Sequence, residues 1–201
     1  MNLKRLRILL WALVGLAAMV GVVIALGPRT SDQDSLAGSQ PLVDIGGPFT
    51  LTGADGKPFS STRLAGKPHA LFFGFTHCPD VCPTTLARLA RLRQQIGKGD
   101  DSFAIVLVSV DPERDTPAEM ARYASLFGTP VIALTGSRPA IEGVKRQYGV
   151  YSAKAPRPDG DYSVDHTATV FLIDGEGKFA ATISTDEGDA AARAKLERLI
   201  G

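Results

Sequence analysis

Two uninterrupted apolar runs constrain this chain most. His69–Thr76 reads HALFFGFT and Phe103–Val110 reads FAIVLVSV. Each has the length of a strand and neither alternates, so each calls for cover on both faces. Around them the period changes to helical. Leu86, Leu89, Ala90 and Leu92 recur at helical spacing up to Gly97. At Thr116-Pro117-Ala118-Glu119, Thr116 can cap a helix, Pro117 suits its first position and Glu119 completes a capping box. Pro130–Leu134 reads as a short strand and Pro139–Tyr148 as a helix ending at Gly149. Thr169–Asp174 reads as a strand turned by Gly175-Glu176-Gly177 into Phe179–Ser184, and Ala190–Ile200 as a final helix. Ahead of all these, Pro48–Ser60 reads as a hairpin turned at Ala54-Asp55-Gly56. Strands alternating with helices predict an α/β fold with a mixed central sheet flanked by helices. Ala153–Val164, with two prolines, a glycine and several charges, reads as a long connecting loop of the kind that often carries function.

The N-terminus predicts a membrane anchor. Ile8–Gly27 carries no charge, and about 20 helical residues suffice to cross a hydrocarbon core of about 30 Å. Lys4, Arg5 and Arg7 precede it, which keeps residues 1–7 in the cytoplasm and sends the rest across. A cleaved signal peptide has a shorter apolar core of about 7–15 residues, and Ala25-Leu26-Gly27 is a poor cleavage site. Residues 28–40, rich in Ser, Asp and Gly, read as a flexible tether, and residues 41–201 as the folded domain. In a bacterium this organisation implies a single-pass inner-membrane protein with its domain in the periplasm, where a cysteine pair can be oxidised.

Lys and Arg together number 22 against 21 Asp and Glu. Without the three N-terminal cations the remainder is mildly acidic, so no basic footprint for nucleic acid exists. The two cysteines, Cys78 and Cys82, are too few for a disulfide scaffold. They fall where the first buried strand gives way to a helix. Pro83 at the first helical position would make Cys82 the N-cap, with both sulfurs facing free N–H groups and the positive end of the helix dipole. That environment favours thiolate, the form that attacks and that binds metal.

Two thiolates leave a metal site incomplete. Tetrahedral zinc takes four ligands, whereas copper(I) accepts three soft or borderline donors and is selected by thiolate. A third ligand would come from histidine. His69 begins a buried strand and reads as packing. His77 adjoins Cys78 but would point the opposite way on an extended chain. His166 precedes a core strand and can reach the same end of the sheet as the cysteine loop. On these residues alone His166 as a ligand and His166 as an ordinary satisfied histidine both stay open.

Three blocks in order resemble one family: Phe73–Pro83 (FGFTHCPDVCP), Ser109–Pro117 (SVDPERDTP) and Asp165-His166 before a strand. The chain is similar from about Pro41 onward to the Sco/SenC copper-binding proteins. The resemblance implies a thioredoxin-like fold and copper held by Cys78, Cys82 and His166, as Cu(I), with Cu(II) left open. It implies service to the binuclear copper site in subunit II of cytochrome c oxidase, by copper transfer or by reduction of the target's cysteines. An upstream periplasmic copper donor or thiol reductant would be a further partner. Asp111, Arg114 and Asp115 of the middle block read as turn and cap chemistry, or else as a partner-facing surface.

Two other chemistries suit a dithiol. A thiol–disulfide oxidoreductase would use Cys78 and Cys82 as a redox pair, but such sites have two intervening residues and a cis-proline nearby, where this chain has three residues and His166-Thr167. A thiol peroxidase resembles Val81-Cys82-Pro83-Thr84, yet it needs a hydroxyl three positions before the cysteine, and Pro79 stands there. A plain binding module would leave the cysteines unexplained.

Overall fold

The computed structural model of the chain describes residues 45–158 and 160–201, together with positions 11 and 19 upstream. The anchor expected at 8–27 and the tether at 28–40 lie outside this described part. Among the described residues no helix is long and apolar enough to cross a membrane. Asp44–Gly201 forms a compact unit of its own.

Along this unit run β1 (Thr50–Gly53), β2 (Pro58–Ser60), β3 (His69–Gly74), α1 (Val81–Ile96), β4 (Ala104–Ser109) and α2 (Pro117–Ala124). They are followed by β5 (Val131–Thr135), α3 (Arg138–Gln147), β6 (Ser152–Pro156), β7 (Tyr162–His166), β8 (Val170–Ile173), β9 (Phe179–Ile183) and α4 (Asp189–Ile200). Seven strands form one mixed sheet in the order β2-β1-β5-β4-β3-β8-β9. β3, β4 and β5 are mutually parallel, and β8 runs antiparallel to β3. The two apolar runs are the central strands β3 and β4, buried at every position. Each fully buried large side chain there contributes about 1.5–3 kcal/mol of transfer free energy.

Successive residues of β3 serve opposite faces. Phe73 packs against Tyr148, beyond α3, and against Phe171. Phe72 and Gly74 look the other way, and a side chain on Gly74 would meet the Cys82 sulfur of α1. Helices therefore cover both faces, as the unalternating pattern requires. The N-terminal hairpin forms where the turn chemistry puts it, with Leu51 opposite Phe59. At α2 the Thr116 hydroxyl accepts from the Glu119 N–H at 3.3 Å. The Glu119 carboxylate pairs with Arg122 instead of returning to Thr116, so only half of the expected capping box forms.

Two expectations need correction. Residues 153–164 are not a loop: they form most of a separate antiparallel hairpin, β6 with β7, joined through 157–161. Its strands pair only with each other, and Val164 is the one fully buried residue of the two strands. With a single core contact the period-2 signal is absent, and Pro156 is tolerated because it ends a strand that has a free edge. The start of α1 also differs. Asp80 is the cap, Cys82 the second helical residue and Pro83 the third. No N–H in the first turn has an intrahelical partner, so proline is admissible at any of these positions and does not fix the register.

Candidate metal centre

The parallel order of β3 and β4 carries their carboxyl ends to one edge of the sheet. Cys78 follows β3 through the turn at 75–80. β8 is antiparallel to β3, with Val170 opposite Phe72, so the chain enters β8 at this same edge, and His166 ends β7 just before it. The topology alone therefore brings a residue distant in sequence to the cysteine loop.

The donors converge. Cys78 Sγ, Cys82 Sγ and a His166 ring nitrogen all lie within 4.8 Å of one another. Cys82 Sγ is 3.5 Å from His166 Nε2, and both thiols are free. His166 Nδ1–H donates to the Thr167 carbonyl at 3.1 Å, which fixes the tautomer and leaves the Nε2 lone pair facing the sulfurs. The rings of Phe72 and Phe75 stand edge-on to the imidazole, with centroids at 6.0 and 5.8 Å, and limit its tilt. Cys82 is fully buried, whereas Cys78 and His166 are half-buried, so the group opens to solvent on one side.

The N–H of Cys82, in the first turn of α1, donates to Cys78 Sγ at 3.3 Å. The helix terminus thus serves Cys78 more directly than Cys82. Cys78 is held well below the ordinary thiol range, first by the hydrogen bond from the Cys82 thiol, and then, against the cost of burial, by His166 and backbone N–H groups. The same hydrogen bond and burial push Cys82 up. In the metal-free pair thiolate is thus favoured at Cys78 over Cys82.

The donor set fits a single soft ion. Metal bonds of about 2.0–2.3 Å to sulfur and imidazole nitrogen place three donors around one ion about 3.5–4 Å apart. The present spacing reaches that arrangement with a shift of about 1 Å or less at one side chain. The group comprises three donors among the described residues, short of the four of a structural zinc site.

The other two histidines stand apart. His69 is buried at the opposite end of β3, with Nδ1 bonded to the Lys67 carbonyl at 3.2 Å, and burial lowers its pKa. His77 Nδ1 bonds to the Thr76 hydroxyl at 3.0 Å and lies 4.0 Å from Asp115 Oδ1, and His77 does not join the three-donor group.

The buried acids of the middle block support the site from beneath. Asp115 is fully buried and accepts from the Ser109 and Thr76 hydroxyls, each at 2.6 Å, and from the Thr76 N–H. It thereby ties the turn that carries Cys78 to the ends of β4 and α2. Asp111 is buried and paired with Arg114 at 2.5 Å. The turn-chemistry reading of Asp111, Arg114 and Asp115 thus describes them.

Gly74, Phe72 and Phe75 are the residues that sequence reasoning missed. A Cβ on Gly74 would lie 3.0 Å from Cys82 Sγ and 2.8 Å from the Phe72 ring, so glycine is what lets the helix bring its cysteine against the strand. A glycine inside an apolar strand is a signal of such close approach, and FFGF carries it.

An α/β domain that gathers two thiols and one imidazole at the carboxyl end of its central parallel strand defines a class, the thioredoxin-like dithiol domain with an added histidine. Comparison makes the class specific: residues 37–201 match the SCO1/SenC family, and the chain belongs to it. The solved structure of Bradyrhizobium japonicum ScoI with copper bound is 44% identical with a TM-score of 0.70, over 77% of this chain and 99% of that one. BsSco, described as having a disulfide switch and as a member of the Sco family of cytochrome c oxidase assembly proteins, is 25% identical with a TM-score of 0.62, over 81% of this chain and 96% of that one. The mitochondrial protein SCO2 of Saccharomyces cerevisiae is 37% identical over 161 residues, 79% of this chain. The chain spans about half of that relative's length, 54%. The expected thioredoxin-like fold, with its mixed sheet flanked by helices, is the fold observed.

Proposed function

We propose that this chain is a copper metallochaperone that binds copper through Cys78, Cys82 and His166 and serves the assembly of cytochrome c oxidase. The observation that carries the reading is the convergence of the three donors within 4.8 Å at one open edge of the sheet. Two thiolates select copper(I) among available metals, and a neutral imidazole suits it as third ligand. Copper(I) with two thiolates and one neutral imidazole carries one net negative charge. The N-terminus of α1 offsets that charge without a buried cation. Half-exposure of Cys78 and His166 lets an incoming thiolate reach the ion while Cys82 still holds it, so copper can pass through a shared intermediate.

The target in this reading is subunit II of the oxidase, whose binuclear copper site is loaded outside the cytoplasm. Residues 1–7 remain in the cytoplasm, 8–27 anchor the protein in the bacterial inner membrane, 28–40 act as a tether, and residues 41–201 work in the periplasm. The uncharged run Ile8–Gly27 behind three cations supports that placement.

A redox role has its own support, in the depressed Cys78 thiol beside Cys82 and in the disulfide switch described for BsSco. In that reading the Cys78–Cys82 dithiol becomes a disulfide while a disulfide on the target becomes a dithiol, two electrons and two protons passing from one to the other.

The test loads the reduced protein with Cu(I) and mixes it with the reduced, copper-free domain of subunit II. One copper per chain, absent in Cys82→Ser, and its appearance on the target support metallochaperone action. Peroxide turnover by a protein with no copper affinity would overturn it. Reduction of an oxidised target by the copper-free protein, with no transfer from the loaded one, would establish the redox reading in its place.

A further inference from the structure

His166 is carried by a hairpin that does not belong to the main sheet. β6 and β7 pair only with each other, and a two-stranded hairpin is marginal in water by itself. A ligand-bearing group needs positioning to about 0.5 Å. Val164 supplies one buried contact. At the base, Thr167 N–H donates to the Tyr151 carbonyl at 3.0 Å, and Tyr151 N–H to the Thr167 hydroxyl at 3.1 Å. These contacts tie the two strands to each other. Beyond the core contact of Val164, the polar fastening of the hairpin to the end of β4 centres on Arg114.

Arg114 Nη1 donates to the Tyr162 carbonyl at 3.0 Å and to the Asp161 carboxylate at 3.2 Å. Its guanidinium lies over the Tyr162 ring, 3.7 Å from the centroid. Its Nε donates to one Asp111 oxygen at 2.5 Å, while the Tyr162 hydroxyl donates to the other at 2.9 Å. Asp111 is itself fixed just beyond β4, where its N–H donates to Ser109 Oγ and its carbonyl accepts from Arg114 and Asp115. Phe75 stands between the two functional groups, 5.9 Å from Arg114 and 5.8 Å from the His166 ring. Lys154 Nζ also lies over the Tyr162 ring, 4.1 Å from its centroid, and shares Glu113 with Arg138 at the exposed surface, where ion pairs contribute little.

We propose that Arg114 is a positioning residue for His166, and that with Asp111 and Tyr162 it clamps the β6–β7 hairpin to the end of β4 so that the imidazole stays over the two sulfurs. The inference rests on the reading of His166 as a copper ligand. Arg114 makes no hydrogen bond to any of the three donors and acts on His166 through the hairpin and through the Phe75 ring. Its planar fork and its stacking on Tyr162 are properties lysine lacks.

A double-mutant cycle on the full, reduced protein tests this, with Cu(I) affinity measured by competition against a Cu(I) chelator. Arg114→Gln weakens binding about 10–100-fold, the range for losing an outer partner of a ligand, and Arg114→Lys does not restore it. In the His166→Ala background, Arg114→Gln has no further effect. Equal weakening in both backgrounds would show general structural damage and overturn the proposal. Amide exchange of the metal-free protein gives a second reading: Arg114→Gln speeds exchange in 152–156 and 162–166 and leaves β3 and β4 unchanged. An unchanged hairpin would also overturn it. Wild-type copper affinity in His166→Ala would instead remove the ligand assignment, and the inference with it, a result distinct from failure of the clamp alone.

Discussion

Gly74→Ala places one methyl group at the most crowded point of the structure. Its Cβ would lie 2.8 Å from Phe72 Cε1, 3.0 Å from Cys82 Sγ and 3.3 Å from Leu107 Cδ1. All three neighbours are fully buried, so none can step aside into solvent. Overpacking of this kind costs about 1–3 kcal/mol, and two such close contacts put Gly74 in the upper half of that range. The backbone of Gly74 is ordinary strand, outside the left-handed region, so alanine also stiffens the unfolded chain by about 0.4–1 kcal/mol in the opposite sense. Packing wins, and the net loss is about 1–2.5 kcal/mol. For a domain of this size that lowers Tm by roughly 2–10 °C. The Cys82 sulfur moves off the strand by a few tenths of an ångström, so Cu(I) affinity falls as well. Thermal denaturation of the reduced protein and chelator competition measure the two effects. A variant with unchanged Tm and unchanged copper affinity would refute the argument that Gly74 sets the approach of α1 to β3.

Three further outcomes follow from the structure. In the reduced, metal-free protein at about pH 6, below the ordinary thiol pKa of about 8.5, iodoacetamide modifies Cys78 well before Cys82; peptide mapping reads this, and preferential labelling of the buried Cys82 would contradict it. His69 is held neutral by burial while the unfolded chain takes up a proton near pH 6.5, so its contribution to stability is complete above that pH and falls as pH drops below it. His69→Gln therefore flattens the acid limb of a denaturation series, and an unaltered slope would refute the assignment. Arg93, 1% exposed, donates to the carbonyls of Phe103 and Pro130 at 3.2 and 3.0 Å and to the Thr129 hydroxyl. Arg93→Met strands these buried acceptors at a cost of about 2–4 kcal/mol while leaving Cu(I) affinity intact, and a loss in urea denaturation below about 1 kcal/mol would contradict it.

Legibility in the sequence followed burial. β3 and β4 were plain because nearly every residue of each is apolar, as a sheet covered on both faces requires. The hairpin β6–β7 was not, because it buries little beyond Val164 and is held by Arg114, Asp111 and Tyr162, polar residues with no period. Arg93 gives no signal for the opposite reason: a cation in the core held by carbonyls, a hydroxyl and Asp100 has no local signature. The cysteine loop was legible as chemistry, though Pro83 misplaced the helix start by two residues, a shift the first turn tolerates. His166 was separable from His77 only in part by residue chemistry. What separates them is topology, since β8 must enter antiparallel to β3 at the edge where the thiols lie.

The claim under everything else is that two sulfurs and one imidazole hold a single copper ion. X-ray absorption at the copper edge of the reduced protein, loaded with one Cu(I) per chain, measures the donor set directly. The account predicts two sulfur neighbours and one nitrogen in the wild type, and loss of that nitrogen alone in His166→Ala. A sulfur-only shell in the wild type, or a nitrogen that persists in His166→Ala, would contradict it.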